Sequence, residues 1–99
     1  MSTPEDKLRE LLGPVTYSDL QAHLDRGAVF LVSPDLDLLT CAVALATDDA
    51  EKVRIWLSEG GLRRPLQDER ARWSATSELR FLAVPVQPYV LIQEEAKLS

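Results

Sequence analysis

The residues of this sequence that could bind a charged ligand are concentrated between positions 63 and 73. Four arginines, Arg63, Arg64, Arg70 and Arg72, are followed directly by Trp73. A guanidinium group binds carboxylates and phosphates through two parallel hydrogen bonds, and an indole ring offers a face on which a cation or a flat group can stack. These five residues form the candidate anion-binding site of the sequence.

The same stretch also carries its own counter-charges. Asp68, Glu69 and Glu78 are close enough in sequence to pair with the arginines. Exposed pairs of this kind are common on helix surfaces and contribute little to stability. The sequence therefore favours a solvated, salt-bridged helix face over an anion site, and the anion site is kept as the alternative.

Acidic and nucleophilic residues elsewhere in the chain do not form a catalytic pattern. Four aspartates could attract a hard cation: Asp35, Asp37, Asp48 and Asp49. All four lie at predicted helix starts, where acids are favoured without any metal. Cys41 lies among small apolar residues, and His23, the single histidine, lies on another predicted helix. There is no glycine-rich phosphate loop, so we expect no metal, no cofactor and no catalytic activity.

The composition argues against two classes of partner. Eleven basic residues are outnumbered by sixteen acidic ones, and the net charge is −5. Because nucleic-acid binding needs clustered positive charge, we expect no nucleic-acid partner. No apolar run approaches the length of about 20 residues that a membrane span needs. The N-terminus is polar and there is a single cysteine, so we expect a cytoplasmic protein.

The elements that would position these residues are clearest between Ala28 and Leu62. The stretch 28–32 reads as a strand, followed by a helix that begins at Pro34 with Ser33 as its N-cap. This helix is apolar on almost every side, so Leu39 and Leu45 are predicted to be buried. A second helix, capped by Asp48, buries Ala50, Val53, Trp56 and Leu57 and ends at Gly60.

The remaining elements lie on either side of this stretch. The spacing of apolar residues predicts helices over 4–12, from Thr16 to Gly27, and from about Glu69 to Ala75. The last of these begins either after Asp68 as its cap or a turn earlier at Pro65. Two strands are predicted at Leu79–Val86 and Tyr89–Gln93. Pro85 and Pro88 each lack a backbone donor, so residues 86–88 form either a turn or a bend.

These elements predict an α+β fold in which four or five short helices pack on a small sheet of about three strands. The whole chain, residues 1–99, reads as a single domain, with residues 1–14 as a more loosely attached N-terminal helix. A sheet with so few strands leaves its edges open. We therefore expect the consecutive apolar residues Tyr89, Val90, Leu91 and Ile92 to form the interface of a homodimer. The alternative is that the N-terminal helices cover this strand within one chain through Leu8, Leu11 and Leu12.

Three segments resemble a known family of small bacterial proteins. They are TYSDLQAHLDRGAVFLVSPDLDLL, ALATDDAEKVRIWLSEGGLRRP and RFLAVPVQPYVLIQE, which resemble domain of unknown function 2288 in order and spacing. The resemblance implies a small cytoplasmic bacterial protein and carries no assigned activity. We expect a non-catalytic interaction protein that self-associates, and the alternative is a regulator that binds a small ligand or an anion through residues 63–72.

Overall fold

The structure, a computed structural model, describes residues 3–76 and 79–94. Within these residues the helices are α1 (Pro4–Leu11), α2 (Tyr17–Asp25), α3 (Leu38–Ala46), α4 (Ala50–Glu59) and α5 (Gln67–Ser74). The strands are β1 (Gly13–Thr16), β2 (Val29–Val32), β3 (Leu62–Arg63), β4 (Arg80–Val86) and β5 (Tyr89–Glu94). The predicted α+β class is confirmed, but the sheet has five strands rather than about three.

The five strands form one mixed sheet in the order β1-β4-β5-β2-β3. Strands β4 and β5 form an antiparallel hairpin, β5 pairs with β2 in parallel, and β1 and β3 pair antiparallel at the two edges. The chain turns between Val86 and Tyr89, which face each other in the register, and the Gln87–Pro88 peptide bond is cis. The segment that the sequence left open as a turn or a bend is therefore a turn.

The two strands missing from the sequence prediction are short edge strands. Strand β1 has the sequence GPVT, which reads as a helix stop, and β3 has only two residues. Proline is tolerated at an edge because one side of the strand needs no donor. The same rule explains Pro85 in β4, since β1 pairs only with residues 80–83 and leaves β4 unpaired on that side at Pro85.

Helices cover both faces of the sheet. One face packs against α1, α3 and α4, with a core of Leu8, Val32, Leu38, Cys41, Ala42, Leu62, Val84, Val86 and Leu91. The other face packs beneath α2 and α5, with a core of Leu20, Leu24, Val29, Leu31, Trp73, Phe81, Ala83 and Ile92. Successive side chains along a strand thus point alternately into two apolar layers, rather than alternately into the core and into solvent.

Strand β5 lies in the middle of the sheet, which corrects the predicted homodimer interface. Leu91 and Ile92 point to opposite faces and are both fully buried within the single chain. Tyr89 and Val90 are half-buried, and the Tyr89 ring packs edge-on against Phe30. The interface prediction assumed an edge strand, and that assumption was wrong because the sheet has two further strands that form its edges.

The helix after β2 begins later than predicted. Residues 33–36 form a turn, and α3 starts at Leu38 with Asp37 as N-cap, whose Oδ2 accepts a hydrogen bond of 3.0 Å from the Thr40 amide. The side chain of Gln93 holds this turn against β5, because its Nε2 donates to the carbonyl oxygens of Ser33 and Leu36. A long-range contact therefore overrides the local signal of Ser33-Pro34.

The packing of α3 and α4 also differs from the prediction. Leu39 and Leu45 are only half-buried, and α3 instead buries Leu38, Cys41, Ala42 and Ala44. The N-cap of α4 is Asp49 rather than Asp48. Of its predicted buried residues, Val53 and Trp56 are half-buried, while Ala50 and Leu57 are exposed.

None of the described helices has both the length and the apolar composition that a membrane span requires.

Candidate functional site

The four arginines of the predicted anion site point in different directions. Arg63 and Arg64 are neighbours in extended chain, so their side chains leave opposite faces. The guanidinium carbon of Arg64 lies 5.7 Å from the centre of the Phe30 ring, on the α3 side. Arg70 reaches back to α2, where its Nη2 donates to Asp25 Oδ1 at 2.7 Å. Only Arg63 and Arg72, of the four, line a common depression.

This depression, the α5 groove, has a volume of about 630 Å³. Its polar lining consists of Ser33, Arg63, Glu69, Arg72, Thr76 and Glu94. Its apolar lining is provided mainly by Leu31, Val32, Pro34 and Leu79. Among the residues that the structure describes, two positive and two negative side chains therefore line this groove together with apolar residues, and the formal charges of these four cancel.

The groove lies where the two parallel strands end. Strands β2 and β5 run in the same direction, so their last residues, Val32 and Glu94, lie at the same end of the sheet. The turn that follows β2 supplies Ser33 and Pro34 to the rim. In open α/β sheets, the carboxyl ends of parallel strands are the usual place for a ligand, because the chain diverges there and leaves a crevice.

Arg63 and Glu69 form a closed pair on one side of the groove. Arg63 Nη1 and Nη2 donate to Glu69 Oε1 and Oε2 at 2.6 and 2.8 Å, and Glu69 Oε1 also accepts a 2.9 Å bond from the Leu66 amide. The bond from Arg63 holds the pKa of the Glu69 carboxyl below its usual range, and the bond to Glu69 raises the pKa of Arg63. The pair holds α5 against β3.

Arg72 and Glu94 form a second, open pair in the lining of the groove. Arg72 Nη2 lies 3.6 Å from Glu94 Oε1, which is longer than a charge-assisted hydrogen bond. The side chains of Arg72 and Glu94 are 65% and 47% exposed. Glu94 is also held by a core residue, because its Oε1 accepts a 3.0 Å hydrogen bond from the indole Nε1 of the buried Trp73.

Trp73 does not offer the stacking face that the sequence predicted. Its side chain is fully buried and packs edge-on against Phe81, with the ring centres 4.9 Å apart. The indole is needed in the core because Trp73 is the buried anchor of a helix that is otherwise polar. The indole contributes to the groove by orienting Glu94, a residue that the sequence analysis did not single out. The signal was available in principle, since a buried indole needs an acceptor.

The other residues weighed in the sequence do not join the groove. Cys41 lies buried in α3, and burial raises the pKa of its thiol to about 11, so the reactive thiolate is suppressed at neutral pH. His23 Nδ1 lies 2.8 Å from Arg26 Nη2, on α2. Among residues 3–76 and 79–94, no three histidine, cysteine, aspartate or glutamate side chains converge on a site that could hold a metal ion.

Comparison with known proteins gives two matches. A family model described as "Protein of unknown function (DUF2288)" matches residues 4–94. The solution structure of PA1075 from Pseudomonas aeruginosa is similar over 100% of this chain and 91% of that chain, with a TM-score of 0.82 and 38% sequence identity. No curated protein matches the sequence.

Proposed function

This chain belongs to the DUF2288 family of proteins of unknown function, and we propose from its geometry that it is a non-catalytic binding protein whose α5 groove holds a small ligand. The proposal is carried by one observation. A groove of about 630 Å³ lies at the carboxyl ends of two parallel strands, and its lining combines two ion pairs with apolar side chains.

The size and lining of the groove support this proposal. Small-molecule sites span about 300–1,000 Å³ and combine an apolar lining with a few placed polar groups. The described polar lining holds two ion pairs and the hydroxyls of Ser33 and Thr76. These hydroxyls bond to the Asp35 amide and the Arg72 carbonyl rather than to a general base, so binding is favoured over catalysis. A lining that includes Arg63 and Arg72 also favours the ligand-binding alternative of the sequence analysis.

The test is a binding screen on the isotope-labelled protein. A panel of small carboxylates, phosphates, amines and amino acids is added at millimolar concentration, and amide chemical shifts are followed by NMR. We expect at least one compound to shift the amides of groove residues such as Leu31, Arg63 and Thr76. Exposed Thr76 lines the groove, so Thr76→Trp should fill it and abolish the shifts.

A matched variant controls for the added indole. Ser58 is exposed on α4 and does not line the groove, so Ser58→Trp should leave the shifts unchanged. Pro34→Trp, on the exposed rim, replaces Thr76→Trp if that protein does not fold. A panel that leaves every groove amide unshifted, or shifts that survive in both groove variants, would contradict the proposal.

We also propose self-association as a second candidate, through α4 rather than through β5. Helix α4 contributes no fully buried residue and leaves Ile55 and Leu57 about half-exposed. The helix carries two acidic and two basic residues, so its surface is neutral although the chain has a net charge of −5. Two copies could therefore approach at α4 without the repulsion expected elsewhere on the surface.

A further inference from the structure

We propose that the ligand of the α5 groove is an amino acid with an apolar side chain, bound as a zwitterion between Arg72 and Glu94. This inference rests on the proposed ligand-binding function and specifies the chemistry of the ligand. It follows from the difference between the two ion pairs of the groove, from the sum of their charges and from the apolar wall beside them.

The open pair provides both charges that a zwitterion needs. Arg72 and Glu94 lie 3.6 Å apart at their nearest atoms, and both side chains are largely exposed to solvent. Little interaction free energy is therefore lost when the two side chains move slightly apart. A ligand carboxylate can accept two hydrogen bonds from the Arg72 guanidinium. The adjacent ammonium can donate to Glu94, whose carboxylate is already oriented by Trp73 Nε1.

The closed pair explains why the ligand is not a simple anion. The guanidinium of Arg63 is occupied by Glu69 through two short bonds, so among the described lining residues Arg72 is the cation that remains open to a ligand. A phosphate dianion bound at Arg72 would also face the carboxylates of Glu94 and Glu69, and the repulsion would offset much of the attraction. A zwitterion adds no net charge to the described lining, in which two cations face two anions.

The apolar wall favours a hydrocarbon side chain over a polar one. Leu79 is half-buried and Pro34 is exposed at the rim, so both keep apolar surface that a ligand could cover. Covering such surface is favourable in proportion to the area removed from water. The volume of the groove accommodates a side chain of the size of leucine or phenylalanine together with its charged groups.

The experiment compares L-leucine with two analogues that each lack one charge. 4-Methylpentanoate is leucine without its amino group, and 3-methylbutylamine is leucine without its carboxylate. We expect L-leucine to bind roughly tenfold more tightly than either analogue in an NMR titration, since each lost charged hydrogen bond costs about one decade of affinity. Inorganic phosphate should not bind.

Charge-neutral variants identify the residues involved. Arg72→Gln and Glu94→Gln should each weaken L-leucine binding by roughly tenfold, and the Glu94→Gln amide oxygen can still accept from Trp73. Arg54→Gln and Glu51→Gln, which remove exposed charges on α4 outside the groove, should have no effect. Unchanged leucine binding in either groove variant would overturn the inference.

The outcomes separate this inference from the proposed function. If 4-methylpentanoate or phosphate shifts the groove amides and L-leucine does not, the zwitterion inference fails and the ligand-binding function stands. If none of the compounds in this experiment or in the wider panel shifts the groove amides, both fail.

Discussion

Glu69 links the chemistry of the groove to the stability of the fold. Its carboxylate accepts two hydrogen bonds from Arg63 and one from the Leu66 amide, and its side chain is 14% exposed. Because the folded state lowers the pKa of this carboxyl, its ionised form stabilises the protein. This contribution is complete above the unfolded pKa of about 4.3 and is lost as the pH falls through the folded value.

We therefore predict that Glu69→Gln lowers the free energy of unfolding by about 1.5–3 kcal/mol at pH 7, the range for hydrogen bonds to charged groups. The difference from the wild type should shrink as the pH falls below about 4, since the wild-type carboxyl then becomes protonated. Urea unfolding between pH 3 and 7 measures both quantities. Glu59→Gln, on an exposed position of α4, is the control, and a difference that is independent of pH would contradict the prediction.

The sequence predicted the presence of the charged cluster but not its geometry. Arg63 and Arg64 were recognised as neighbours, yet their separation onto two faces depends on β3, a two-residue strand without a local signal. Glu94 comes to Arg72 and Trp73 only through the pairing of β5 in the middle of the sheet. The directions of side chains at a site built from distant segments follow from the sheet register, which a single sequence does not determine.

Among the elements, α4 has an end that was predicted from sequence and can be tested directly. Gly60 has φ of +82° and ends the helix in the left-handed conformation, and the Gly61 amide donates to the Trp56 carbonyl at 2.9 Å. A Cβ at Gly60 would meet no atom within 4 Å. The cost of replacing this glycine is therefore conformational rather than steric.

Gly60→Ala should lower the free energy of unfolding by about 1 kcal/mol, the cost of the left-handed region for a residue with a Cβ. Gly13→Ala is a matched control, because a Cβ there also meets nothing within 4 Å but Gly13 has no positive φ. Chemical denaturation of the two variants gives the comparison. Equal effects in the two variants would mean that the backbone conformation at Gly60 is not what the substitution disturbs.

The elements that the sequence predicted correctly share one property: the residues that indicate them lie close together in the chain. The end of α2 at Gly27 and the capping contact from the Thr16 amide to Asp19 Oδ2 at 3.1 Å depend on residues a few positions apart. The start of α3 was misplaced because Gln93, far along the chain, stabilises a turn at 33–36 instead. The local sequence pattern therefore predicts most helices and strands. Where it places an element boundary wrongly, as at the start of α3, a tertiary contact determines the true boundary.

For the whole molecule, the exposed apolar surface of α4 predicts the oligomeric state. If two copies pair through this helix, light scattering on a sizing column at tens of micromolar should give about twice the chain mass of 11.1 kDa. Ile55→Lys should return the mass to that of one chain, because burying a lysine in place of an apolar side chain is costly; Leu57, two positions along the helix, faces a different side.

Leu66→Lys is the matched control, since Leu66 is an exposed apolar residue outside α4. It should leave the mass at twice that of one chain. A mass near 11.1 kDa for the unmodified protein would exclude the α4 dimer at that concentration.

The position of β5 has a consequence for synthesis on the ribosome. This strand is the last of the five described strands to emerge, yet it lies in the middle of the sheet and joins β4 to β2. Until residue 94 has left the ribosome, β1 can pair only with β4 and β2 only with β3, and nothing joins these two pairs of strands. The complete sheet therefore forms only after synthesis of β5, and until then the nascent chain exposes apolar strand residues of the kind that chaperones bind.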